Sequence, residues 1–197
     1  TKLFRTAEIK MGRYLLFRSR GEVPERGTLG IVNADGSDLR PLKLEVPDQL
    51  SWGVGPVFQD GNRVILMSVE GLKTWEGNVR SRTWIYHLDT DKIEEIAQSD
   101  PEAPYMPPIA LLPGEERMLA GPVIDGEQRV WSMNLDGSDA LEITHKGEGF
   151  TYGVSLSPDA QRLAFHVTGI RAYEIVVCNL DGTDRRVLAS DPAHLHF

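Results

Sequence analysis

An all-β fold made of repeated four-stranded antiparallel units is predicted by three observations. A turn signature recurs along the chain, apolar alternation flanks each copy, and 19 glycines and 12 prolines punctuate short apolar runs across 197 residues. The composition, 41% hydrophobic and 25% charged, is that of a globular chain and excludes a disordered or fibrous one.

The signature is clearest in Asn33-Ala34-Asp35-Gly36-Ser37-Asp38, Asn134-Leu135-Asp136-Gly137-Ser138-Asp139 and Asn179-Leu180-Asp181-Gly182-Thr183-Asp184. A degenerate copy, His87-Leu88-Asp89-Thr90-Asp91-Lys92, falls between the first two. Asp35, Asp89, Asp136 and Asp181 are separated by 54, 47 and 45 residues, which is the period of a β-propeller blade. An Asp-Gly pair between alternating strands is a strong hairpin signal, because both residues tolerate the positive φ of tight turns. The preceding strands are predicted at 29–32, 83–86, 129–133 and 173–178, and the following ones at 39–42, 93–96, 140–143 and 186–188. Pro41 cannot donate to a ladder, so its strand is predicted at a sheet edge.

A second hairpin lies upstream of each signature, most clearly at Val154–Phe165 around Ser157-Pro158-Asp159. Weaker versions run over Val57–Leu66 and Leu111–Leu119, and the first unit shows only the second half, Met11–Phe17, without a convincing opening strand. The units are placed at 1–44, 51–98, 105–146 and 150–190 of a single propeller or propeller fragment, with a next blade opening at 193–197.

Ser157-Pro158-Asp159-x-x-Arg162-Leu163-Ala164-Phe165, followed by Asn179-Leu180-Asp181-Gly182-Thr183-Asp184, resembles the TolB-like (WD40-like) β-propeller repeat. The likeness is strongest over 150–190, good over 106–144 and partial over 11–98. It implies a propeller of six or seven blades, roughly 280–330 residues at this period, so the four visible units are expected to belong to a larger ring, completed by blades of the same or another chain. It also implies a periplasmic or secreted location and three functional classes. These are a binding protein that presents a channel rim to a protein or saccharide, a metal-dependent carbohydrate lyase of the oligogalacturonate type, and the accessory propeller of a peptidase.

Residues entering the opening strands would line one rim of such a ring, which makes Trp52, Tyr105 and Tyr152 candidate ligand-binding residues. Trp75, in the long insertion Val69–Arg82, is a fourth, since tryptophan beside arginine is typical of binding hot spots. His194 and His196 share one face of a strand at i, i+2 and are candidate ligands for a divalent metal, with His145 and His166 as further histidines. Leu195 between them is expected to be buried. Two imidazoles do not make a complete site, and no cofactor is specified by motif.

Several classes are excluded. A formal charge of −8 argues against nucleic acid, and the apolar runs are far too short to cross a bilayer as helices. The single Cys178 sits among alternating apolar residues and is predicted to be an inert core thiol. The Asp-Gly loops lack the alternating oxygen ligands and closing glutamate of an EF-type calcium loop. Gly153-Val154-Ser155-Leu156-Ser157 lacks the final glycine of a nucleophile elbow and lies in a predicted strand.

Overall fold

A computed structural model describes residues 4–9, 13–18, 28–33, 35–44, 50–70, 80–100, 103–169 and 172–192. Among these every regular element is a strand, and the chain divides into two compact units between Ala103 and Pro104.

The first unit holds two sheets. One is β1 (Phe4–Ile9), β2 (Arg13–Arg18), β3 (Thr28–Asn33) and β4 (Arg40–Pro41), and the other is β5 (Leu50–Val57), β6 (Arg63–Glu70), β7 (Ser81–His87) and β8 (Lys92–Gln98). In the second unit the third sheet comprises β9 (Pro108–Leu111), β10 (Arg117–Ala120), β13 (Trp131–Asn134) and β14 (Leu141–Glu142). A small hairpin, β11 (Val123–Ile124) with β12 (Glu127–Gln128), is inserted between β10 and β13. The fourth sheet is β15 (Phe150–Leu156), β16 (Arg162–Thr168), β17 (Tyr173–Asn179) and β18 (Arg186–Asp191). Each four-stranded sheet is an antiparallel meander in sequence order, so its first and fourth strands are the edges. Pro41 lies on such an edge strand, paired only through Gly30 and Ile31 to β3.

Two features depart from the sequence reading. The first sheet has its opening strand: β1 pairs along its whole length with β2, Phe4 opposite Arg18 and Ile9 opposite Arg13. Lys10-Met11-Gly12 carries no Pro-Asp, Asp-Gly or Pro-Gly pair of the kind that marks the other hairpins, so no turn is signalled there. In the third sheet the strand expected from Arg129 begins at Trp131, because the chain first makes the β11–β12 hairpin around Asp125 and Gly126, both at positive φ. Asp125-Gly126 is itself an Asp-Gly hairpin signal, lying off the repeat period.

The signature loops share one register. Gly30, Trp84, Trp131 and Val176 face Pro41, Glu95, Glu142 and Val187 respectively, so all four loops have equal length. In the three regular copies the first aspartate closes the loop on itself. Asp35 Oδ1 accepts from the Ser37 amide at 2.9 Å and hydroxyl at 2.6 Å, while Asn33 Nδ2 donates to that hydroxyl at 3.0 Å. Asp136 with Ser138 and Asp181 with Thr183 repeat this pattern. The positive φ belongs to the glycine and to the second aspartate (Asp38, Asp139, Asp184), not to the aspartate of the Asp-Gly pair. That second aspartate then receives the arginine that opens the sheet's second strand, Arg117 to Asp139 at 2.5 Å and Arg162 to Asp184 at 2.9 Å.

Apolar side chains from both sheets of a unit meet in one core. In the first unit Leu29, Ile31 and Leu42 pack with Trp52, Val64, Leu66, Trp84, Tyr86 and Leu88. In the second, Leu112, Leu119, Val130 and Ile143 pack with Leu163, Phe165, Val167, Val176 and Cys178. Leu163, Phe165 and Val167 alternate along β16, as the period of two requires for a strand with one buried face. Burying each such side chain is worth about 1.5–3 kcal/mol. Burial pushes the Cys178 thiol above its ordinary pKa, as expected of an inert core cysteine.

Candidate functional site

The opening strand β15 carries the most developed polar and aromatic cluster on a sheet edge among the described residues. Its pairing with β16 shifts between Tyr152 and Ser155, and within this bulge Gly153 sits at φ 60° with the His166 imidazole 3.0 Å from where a Cβ would project. The bulge lets Tyr152 lie against His166 directly across the ladder, with ring centroids 5.1 Å apart and planes inclined at 33°. Phe150, 37% exposed, precedes this pair. Thr151 between them is fully buried, with no hydrogen-bond partner on its Oγ1. The same bulge settles the nucleophile-elbow question, because Ser155 lies in strand β15 opposite Ala164 and not on a strand-to-helix turn.

The link that delivers the chain to β15 is held by ions. Arg129 is almost fully buried, donates to Glu142 Oε1 at 3.1 Å and lies 3.9 Å from both Asp125 and Glu127. Lys146 pairs with Asp125 at 2.8 Å, and the Gly147 amide donates to Glu127 at 2.9 Å. The hydrogen bond and charge of Lys146 hold the Asp125 carboxyl below the usual range. Arg185, which stacks over Phe165, pairs with Glu148 just ahead of the strand. These contacts fasten the β11–β12 hairpin and the 145–148 link, and β12 packs beside β15. None was found from sequence, since the partners lie up to 37 residues apart with no motif.

The other expected residues fall differently. Trp52 is in β5 and only 9% exposed, its ring 5.8 Å from Trp84, whose Nε1 donates to buried Ser68 at 2.8 Å. It is part of the core of the first unit. Tyr105 is half-buried in the segment leading to β9. Trp75, His194, Leu195 and His196 lie outside the described residues. Among the described residues no three His, Cys, Asp or Glu side chains are grouped to hold a metal ion. His145 approaches Glu142 at 3.8 Å, and His166 is committed to Tyr152.

Meandering four-stranded sheets packed face against face, each built on one repeat, define the propeller class of all-β proteins. Solved structures agree. The chain is similar to the protein described as TolB from Agrobacterium tumefaciens (12% identity, TM-score 0.64, 91% of this chain and 61% of that one). It is also similar to TolB from Acinetobacter baumannii (12%, 0.59, 91% and 41%) and to an oligogalacturonate lyase from Vibrio parahaemolyticus (17%, 0.61, 90% and 50%). No protein-family model matches the chain, and neither does any curated protein. At these identities the likeness is one of fold: the chain has the TolB-like propeller fold and spans about 40–60% of the length of these structures.

Proposed function

We propose that the chain is a propeller-type binding protein that presents the opening end of β15 to a protein or saccharide ligand. The observation that carries this reading is the half-buried Tyr152–His166 ring pair next to the exposed Phe150 at the start of β15. A pair of rings of this kind offers the apolar faces and polar edges against which a sugar ring or an aromatic or basic peptide side chain packs. The clamped 145–148 link would keep the platform rigid, so little ordering would accompany binding. The similar structures include both TolB and an oligogalacturonate lyase, which supports testing acidic oligosaccharides first.

Isothermal titration calorimetry with oligogalacturonates and neutral oligosaccharides tests this reading. A saturable isotherm weakened about tenfold or more by Tyr152→Ala, roughly the worth of one aromatic contact, supports it. An isotherm unchanged in Tyr152→Ala and His166→Ala, or none with saccharides and peptides alike, would overturn it. The lyase alternative, with His194 and His196 on a divalent metal, predicts ultraviolet absorbance of unsaturated uronate products and metal in the purified protein. The peptidase alternative places the catalytic residues outside this chain.

A further inference from the structure

Five Asp-Gly pairs occur along the chain, at Asp35, Asp60, Asp125, Asp136 and Asp181, and all five lie among the described residues. Such a pair can isomerise, because glycine has no side chain to shield its amide nitrogen from the neighbouring carboxyl carbon. Four pairs are held against it. The Gly36, Gly61, Gly137 and Gly182 amides each donate to a carbonyl three residues back, at 2.9 Å. The carboxyls of Asp35, Asp136 and Asp181 are taken by the amide and hydroxyl of the residue two places on, and Asp60 accepts from the Asn62 and Arg63 amides.

Asp125-Gly126 is built differently. It forms the two-residue tip of the β11–β12 hairpin, where Ile124 faces Glu127, and its residues sit at φ 55° and 78°. A turn of this kind bonds its first and fourth residues and leaves the second central amide outside the ladder. The Gly126 amide accordingly has no backbone acceptor among the described residues. Asp125 is the one of the five aspartates in the left-handed region, where an L-residue is strained, and its side chain is 60% exposed. The ladder beneath it has two residue pairs, so little resists the rotation that brings the Asp125 carboxyl carbon onto the Gly126 nitrogen.

One contact opposes the reaction. The hydrogen bond and charge of Lys146, at 2.8 Å, keep the Asp125 carboxyl ionised to lower pH than usual, and an ionised carboxylate is a poor target for a nucleophile. Arg129, 3.9 Å away, acts in the same direction, and Glu127, Glu142 and His145 are the other titratable groups around the hairpin.

We infer that Asp125 is a site of isoaspartate formation, singled out from the other four pairs by its place at the hairpin tip. The Gly126 nitrogen attacks the protonated Asp125 carboxyl, an N–C bond forms, and the carboxyl hydroxyl leaves with the amide proton as water. Water then opens the resulting cyclic imide at the Asp125 main-chain carbonyl, so the original peptide C–N bond breaks and the backbone continues through the side-chain carboxyl. The product has unchanged mass, an extra methylene in the main chain and a carboxylate displaced from Lys146.

The test is storage of the whole chain, folded and in urea, in warm buffer at about pH 5 and about pH 8. Digestion, labelling by isoaspartyl methyltransferase with S-adenosylmethionine and peptide mass mapping then read each pair. In the folded chain the Asp125 peptide should gain label about tenfold faster than the other four, whose glycine amides must first give up a hydrogen bond. It should gain label faster at the lower pH, where more of the carboxyl is protonated. In urea the five should react alike. Lys146→Met should quicken the folded-state reaction and Gly126→Ala should slow it. Asp125→Asn should pass through the same imide with loss of ammonia and a rise in mass. Equal labelling of all five pairs in the folded chain, or labelling at the signature loops ahead of Asp125, would overturn the inference. So would a folded chain unlabelled at Asp125 over the time in which the unfolded chain is labelled there.

Discussion

The loop after β7 and the loop after β17 occupy the same place in their sheets and use it in opposite ways. In the fourth sheet Thr183 donates its hydroxyl and amide to Asp181, so the turn satisfies itself. In the second sheet the equivalent residue is Asp91, which has no such local partner to give to. It instead accepts from the Tyr86 hydroxyl at 2.7 Å and from Arg40 at 3.0 Å, and lies 3.1 Å from Lys43, the last two arriving from the first sheet. The Tyr86 hydroxyl also accepts from the Lys43 amide at 3.3 Å. The three regular loops are local turn chemistry, whereas the degenerate one fastens two sheets together. The degenerate copy keeps the loop length and replaces the local side-chain bonds of the other three with a long-range tie.

Asp91→Ala should break this contrast most severely. It leaves the Tyr86 hydroxyl and Arg40 without their shared acceptor in a partly exposed position, and should cost about 2–3 kcal/mol. Urea unfolding followed by tryptophan fluorescence reads the loss. Gly182→Ala should come next, at about 2 kcal/mol, since it adds a clash with Ile143 to the strain of a left-handed alanine. Gly36→Ala has the same backbone strain with nothing within 4 Å of the new methyl, and should cost about 1 kcal/mol. Equal losses for the two glycines would mean that the loop at Gly182 does not pack on the third sheet as described.

Acid unfolding sharpens the comparison further. The Tyr86 hydrogen bond, with Lys43 and Arg40, brings the Asp91 carboxyl from its ordinary 3.8 to about 2, while burial and the bond to Asp91 push the Tyr86 hydroxyl up to about 12. A carboxyl that is a stronger acid when folded stabilises the fold fully above its unfolded pKa and loses that contribution as pH falls toward its folded one. Stability on the order of 2 kcal/mol should therefore disappear between about pH 4 and pH 2, and Asp91→Asn should flatten that limb of the curve. Asp136→Ala is expected to have the smallest effect, because its bonds to Ser138 are exposed and local. A loss comparable to that of Asp91→Ala would erase the distinction between the two kinds of loop.

Much of the fold was legible in the sequence. The strands on either side of each signature and the edge position of Pro41 follow from the period of two, from turn chemistry and from the missing proline donor. Cys178 was legible as core for the same reason, since Val176 and Cys178 alternate on one face of β17. Less of the candidate site was. Tyr152 was picked out by its place before the clearest hairpin, but its partner His166 stands fourteen residues on, where only the register of β15 against β16 brings the rings together. The ion pairs of Arg129 and Arg185 had no sequence signal, because any exposed-looking charge can find a partner only once the chain has been folded. Trp52 resembled a rim aromatic by position and proved to be a core one, covered by Trp84.

The sequence by itself determined the repeat, the all-β class and the chemistry of three turns, because these depend on residues a few positions apart and on the alternation of neighbours. Tertiary structure alone decided which copies of an equivalent residue are buried. Leu42, Ile143 and Leu188 each follow the residue facing Gly30, Trp131 or Val176, yet Leu42 and Ile143 join the cores of their units while Leu188 is exposed. The same holds for Asp91 against Thr183: local rules fix the loop length, but the value of a carboxylate there is set by the Arg40 and Lys43 charges that a neighbouring sheet places within 3.1 Å.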